Sequence, residues 1–317
     1  EIRLSLVGSE MCIRDRNKVI NIPNADRDER IGSVFNHLFS VIFANEQIRD
    51  NDVPVWDFSN TSFFHPFFLF PFAIYKSKCK NVQCKNVVGY MRNYLECVKF
   101  FDMLTIKDDM DLNSALKEYL GKSYIPICRF SRLNKNIDSM QTIIQGVIEK
   151  QKNLDLKLKT PLSYLISELI CNINQHSDSD YGYIYTQYLK RENCLDICIA
   201  DDGITIYGSY VKSQKMLDKI GDNEAEALKY ANEGYSTKDL PDAESRGFGI
   251  SSTKSMIVEG LGGAFFMLSG GAFHRHDASG GSDYVKLPET INWNGTIILM
   301  RIPLTVSEEF DYTKYIK

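Results

Sequence analysis

The chain has 317 residues, 44% of them hydrophobic and 25% charged, with a formal net charge of −4. A chain of that length and composition buries a sizeable core without staples, and a mainly disordered protein is excluded. The slightly acidic balance gives no support to nucleic-acid binding through a globally basic surface.

The eight cysteines, at 12, 79, 84, 97, 128, 171, 194 and 198, have no regular spacing and form no disulfide framework. Cys79 and Cys84, in CKNVQC, lack the second pair that a zinc site needs, and Cys194 and Cys198 fall in an apolar run. The cysteines read as thiols of a reducing compartment. No stretch reaches the ~18 apolar residues of a spanning helix, and no signal peptide is visible, so a cytoplasmic location is expected. The most apolar run, FFHPFFLFPFAIY (63–75), is short and contains two prolines. At the start, SLVGSEMCIRDR resembles a conceptual translation of sequencing-adapter DNA. Residues 1–16 are therefore set apart from fold reasoning, and the natural start of the chain is expected to be missing.

In chain order, IGSVFNHLFSVIFANEQI (31–48) carries apolar residues at helical spacing, and VPVWDFS (53–59) reads as a short strand. A helix is expected in FFLFPFAIYKSKC and another in VVGYMRNYLECVKFFDML (87–104). Residues 17–130 thus read as a small α/β unit that loosely resembles a STAS-type domain. Residues 131–160 read as a connection with a helix over about 137–152. From 161 to 305 the pattern is a helix (161–175), strands YGYIYTQYL and CLDICIADDG, and a long mixed segment (205–245). A helix (246–260) and strands AFFMLSG, GAFHRH and GTIILMRIPL follow, before a tail at 306–317. The expected fold class is α/β in the α+β sense, with helices on one face of a mixed, mainly antiparallel sheet and a smaller N-terminal α/β domain.

Four short motifs lie inside 161–305. In PLSYLISELICNINQH, Glu168 and Asn172 are one helical turn apart and share a face. A carboxylate there suits proton abstraction, and an amide oxygen suits Mg²⁺. In IADDGI, Asp201 stands at a strand end, where a carboxylate can accept a hydrogen bond from an amino group, and Gly203 permits close approach of a flat ring. In GYSTKDLPDAESRGFGISSTKSMI, Gly247 and Gly249 precede a helix, which suits phosphate, and Ser236, Thr237 and Lys238 form a polar tip upstream. In NGTIILMRIPL, Gly295 and Thr296 open a strand, and the threonine hydroxyl can bond the Asp201 carboxylate or a water beside it. Each motif alone is weak: Glu and Asn at this spacing usually make a solvated helix face, DDG is commonly a turn, and GxG here is neither a Rossmann fingerprint nor a P-loop.

In this order and at these intervals the four motifs resemble the GHKL ATPase superfamily of gyrase, heat-shock chaperone, histidine kinase and MutL, over about residues 160–305. The resemblance implies a Bergerat fold that binds ATP and Mg²⁺. It implies Glu168 as general base, Asn172 as Mg²⁺ ligand, His176 at the end of the same helix, and Asp201 with Gly203 at adenine. Further, it implies phosphate contacts from Gly247 and Gly249, nucleotide contacts from Arg246, Phe248 and Ile250, support from Thr296, a lid over 205–246, and Lys238, beside Ser236 and Thr237, at the terminal phosphate. One departure stands out: where the family has DxGxG, the second glycine is Thr205.

His37 lacks the acidic residue and proline that follow a phospho-acceptor histidine, and His274 with His276 lacks a third metal ligand. Three functions follow from the resemblance. The first is ATP hydrolysis with lid closure that signals to a partner or to the N-terminal domain. The second is a serine/threonine protein kinase of the anti-sigma type acting on a STAS-like partner, with Ser59 a conceivable acceptor in this chain. The third is a non-hydrolysing ATP-dependent switch. A homodimer stays open.

Overall fold

The computed structural model describes residues 19–24, 33–48, 52–79, 81–107, 110–131, 146, 156–176, 178–235, 237, 248–278 and 281–315. The segment 1–16 and the helix expected over 137–152 lie outside the described residues, apart from position 146. The chain divides into two compact units between Asp102 and Met103.

The first unit carries three parallel strands, β1 (Val19–Asn21), β2 (Val55–Asp57) and β3 (Gln83–Lys85), in the order β1-β2-β3. The connecting helices are α1 (Val34–Glu46) and α2 (Pro66–Lys78), and α3 (Gly89–Cys97) follows β3. The aromatic run becomes core. Pro66 opens α2, where a missing N–H costs nothing, and the His65 Nδ1 accepts the Phe67 N–H at 3.1 Å. Phe67, Phe68, Phe70 and Phe72 are fully buried. Trp56 stacks on Phe72 (4.5 Å between centroids) and donates its indole N–H to Asn45 Oδ1 at 3.1 Å. None of the described helices is long and apolar enough to cross a membrane.

The second unit is built on an eight-stranded sheet in the order β10-β9-β8-β11-β7-β6-β5-β4, antiparallel except for the β4–β5 pair. Its strands are β4 (Leu104–Ile106), β5 (Tyr124–Ser131), β6 (Tyr181–Leu189), β7 (Cys194–Asp201), β8 (Ala264–Gly270), β9 (Ala272–Asp277), β10 (Gly281–Lys286) and β11 (Trp293–Pro303). Its helices are α4 (Leu112–Leu116), α5 (Leu156–His176), α6 (Ile206–Ser213), α7 (Leu217–Ile220), α8 (Glu224–Asn232) and α9 (Phe248–Ser255), the last continuing as a π turn over Met256–Gly260. The α+β class expected from the pattern is the class observed.

Three boundaries differ from expectation. The first unit ends near 102 rather than 130, because β5 pairs with β6 and draws β4 with it into the large sheet. Helix α5 starts at Leu156 rather than 161, with Pro161 inside its N-terminal part. The segment 205–246 is not one lid: α6 packs on β8, and α8 packs on β8, β9 and β10, with Tyr210, Ala227 and Leu228 buried. Of the rest of the expected lid, residues 236 and 238–246 lie outside the described residues.

The core sits between α5 and the sheet. Leu162, Leu165, Ile166, Leu169, Ile170 and Ile173 form one apolar stripe at helical spacing, in one cluster with Ile184, Ile197, Ile199, Met267, Ile298 and Met300. Each such side chain contributes about 1.5–3 kcal/mol on burial. Their packing fixes the rotation of α5 and thereby turns Glu168 and Asn172, on the adjoining face, toward the end of β7.

Candidate functional site

An open cleft lies between α5, the end of β7, α6, α9, β8 and β11. It holds about 940 Å³ of space, its mouth included. Leu169, Ile173, Ile199, Met267 and Ile298 supply apolar walls, and Glu168, Asn172, Asp201, Thr237 and Thr296 supply polar groups. A mainly apolar cleft with a few convergent polar groups is the usual form of a small-molecule site.

Asp201 ends β7 and is 6% exposed. Its Oδ1 accepts the Gly203 N–H at 3.0 Å, which closes a tight turn. Across the sheet, Gly295 has φ +85°, and a β-carbon there would lie 2.8 Å from Asp201 Oδ1 and 2.7 Å from its carbonyl carbon. Glycine is needed at 295 for both reasons. Beside it, Ser269 on β8 donates to the Gly295 carbonyl (2.9 Å) and accepts the Ile206 N–H (2.9 Å). With its one proton committed, Ser269 accepts from Thr296, whose hydroxyl lies 3.1 Å away. Thr296 is therefore tied to Ser269.

At the other end, Gly249 in the first turn of α9 presses on Glu168, and a β-carbon there would overlap the Glu168 Oε2. The same β-carbon would sit 3.7 Å from Asn172 Nδ2. That nitrogen is buried and has no hydrogen-bond partner among the described residues. The amide can therefore turn its oxygen to a cation without breaking a hydrogen bond. No group of three or more His, Cys, Asp or Glu converges among the described residues. Mg²⁺ does not need one, since it is commonly held by one or two protein oxygens with phosphates and water. Asn172 can thus offer one oxygen ligand to such an ion.

Of the residues expected from sequence, Glu168, Asn172, Asp201, Thr237, Gly249, Ile250 and Thr296 line this one cleft. Gly203 does not line it; its N–H is turned onto Asp201, while Ile204, Thr205 and Ile206 form that wall. Thr205, at the departure from the glycine pattern, caps α6 by accepting the Gly208 N–H at 2.9 Å, so a helix begins where a second glycine would loosen the chain. Ser236, Lys238, Arg246 and Gly247 lie outside the described residues, as do the side chains of His176 and Phe248.

Sequence reading missed the supports. Tyr210 donates to the Tyr235 carbonyl (2.5 Å) and Ser209 pairs with Thr237 (3.0 Å), fastening the chain after α8 to α6. Ser269 was missed as well; a serine alternating into an apolar strand, in AFFMLSG, was the available signal. His274 and His276 do share a face of β9, and His274 is fully buried and stacked on Tyr284 (4.0 Å).

No protein-family model matches the chain, and no curated protein matches it.

Proposed function

We propose that the second unit is a GHKL-type, Bergerat-fold domain that binds Mg-ATP in this cleft and hydrolyses ATP. The observation that carries the reading is convergence: seven residues scattered from Glu168 to Thr296 meet in one cleft, with Gly249 against Glu168 and a free amide at Asn172.

In this reading Asp201 accepts a hydrogen bond from the adenine amino group, and the apolar walls hold the ring. The first turn of α9, at Gly249 and Ile250, offers backbone N–H groups and a favourable dipole to phosphate. Asn172 holds Mg²⁺, which would offset phosphate charge. Glu168 takes the proton of the attacking water. The roles of Ser236, Lys238, Arg246 and Gly247 at phosphate rest on their sequence positions alone. Signalling to a protein partner or to the first unit is part of the same proposal.

The test is calorimetry with a non-hydrolysable ATP analogue and Mg²⁺. The parent chain binds, and Asp201→Asn does not. Glu168→Gln keeps binding and loses about 10²–10⁴-fold in turnover. Unchanged turnover in that variant removes Glu168 from the chemistry, and binding without turnover in the parent favours the switch reading.

A second reading, protein kinase activity toward a serine, draws on Ser59. It is exposed just after β2, with its N–H bonded to Asp57 Oδ1 at 2.8 Å. Labelled phosphate retained on the chain and abolished by Ser59→Ala would support it; label released only as phosphate would not.

A further inference from the structure

Helix α9 forms one wall of the cleft, and one turn further on it carries a lysine. Lys254 follows Ile250 by four residues and shares its face. Its half-buried Nζ lies 3.3 Å from the Asn232 carbonyl oxygen and 3.4 Å from the Tyr284 hydroxyl. Asn232 is the last residue of α8, so its carbonyl belongs to the terminal set that has no partner within the helix and carries the negative end of its dipole.

The surroundings suit an ammonium group. The His274 Nδ1 sits 2.9 Å from the Asp283 carbonyl, which can only accept, so Nδ1 carries the proton and Nε2 is a bare acceptor. That Nε2 and the Asn232 Oδ1 are buried and have no partner among the described residues. His276 lies beside His274, 6.3 Å between ring centroids. Burial lowers the pKa of Lys254, and the charges of Glu259 and Glu233 oppose that. Hydrogen bonds to the Asn232 carbonyl and the Tyr284 hydroxyl offset part of the cost of half-burying that cation.

We propose that Lys254 is a positioning residue for the cleft: its ammonium group caps α8 at Asn232 and so sets where α9 lies, and with it the Gly249–Ile250 wall beside Glu168. The consequence for ligand affinity rests on the nucleotide reading above; the placement of α9 does not.

The experiment uses the full chain and the variants Lys254→Met and Lys254→Arg. It reads affinity for the non-hydrolysable ATP analogue with Mg²⁺, amide exchange over residues 248–260 in the free protein, and the melting temperature. Lys254→Met weakens binding about tenfold, the equivalent of one helix-terminal interaction, and speeds exchange over 248–260. Its melting temperature does not fall, because an apolar chain replaces a cation that burial disfavours. Lys254→Arg restores both affinity and exchange. Parent-like affinity and exchange in Lys254→Met overturns the proposal. So does failure of Lys254→Arg to restore them, or a melting temperature several degrees lower in Lys254→Met, which marks a general structural role. If the parent chain binds no analogue, exchange decides alone: faster exchange in Lys254→Met but not in Lys254→Arg upholds the positioning role while the nucleotide reading falls.

Discussion

Gly249 and the Glu168 carboxylate are packed so closely that position 249 has no room for a β-carbon unless Oε2 moves. The two residues come from different helices, α9 and α5, so the contact ties the first turn of α9 to the carboxylate that we propose as the base.

Gly249→Ala therefore separates fold from chemistry. The obstructing atom is the end of a flexible side chain, and alanine favours a helix by about 1 kcal/mol over glycine. Thermal stability is expected to hold, while ATP turnover falls tenfold or more as Glu168 is displaced. A parallel measurement of melting temperature and phosphate release checks this.

Gly295→Ala behaves differently. Its β-carbon meets the backbone of Asp201, which cannot rotate away, and φ is +85°. Stability falls by about 1–3 kcal/mol from the backbone conformation alone, and nucleotide affinity falls with it. Denaturant unfolding together with calorimetry distinguishes this from the Gly249 variant.

Arg301 on β11 pairs with Asp196 on β7 through two 2.8 Å hydrogen bonds, and Asp196 is fully buried. Burial pushes the Asp196 carboxyl up from its ordinary value, and the guanidinium opposes that. Arg301→Met leaves a buried acid unpaired and is expected to cost about 3–5 kcal/mol in denaturant unfolding. Combining it with Asp196→Leu recovers most of the loss; the double variant tests whether the pair acts as a unit.

His274 gives a pH dependence. Burial lowers its pKa from 6.5 to about 3, and the bond to Asp283 only partly opposes this. The unfolded chain binds a proton through that window and the folded chain does not. The stability contribution is therefore complete above pH 6.5 and is lost as pH falls toward 3. At about 1.4 kcal/mol per unit, unfolding free energy drops by about 2 kcal/mol between pH 6.5 and 5. His276, also lowered by burial, adds in the same direction. Urea unfolding across that range is expected to show a shallower slope in His274→Gln.

How far the sequence speaks differs by element. The α5 stripe, β6, β7, β8 and β11 were legible because long apolar periodicity survives any context. Strands β1, β3 and β4 have three residues each, and β10 is a mostly exposed edge strand; such pieces carry little periodic signal and are stabilised by their neighbours. In the cleft, Glu168, Asn172, Asp201, Gly249 and Thr296 were legible only through the order and intervals of the four motifs and the family resemblance that these carry. Ser269, Tyr210, Gly295 and Lys254 were not, because their roles are hydrogen bonds and close approaches between segments far apart in the chain.

From the sequence alone came the fold class, the helix over 161–175 and the face that Glu168 shares with Asn172. Those follow from local periodicity and side-chain chemistry. Long-range packing settled that β5 belongs with the large sheet, that α6 and α8 pack on it, and that Thr296 answers to Ser269 while Gly249 answers to Glu168. Strand pairing and long-range contacts depend on which surfaces meet after the chain closes, and no local window of sequence carries that information.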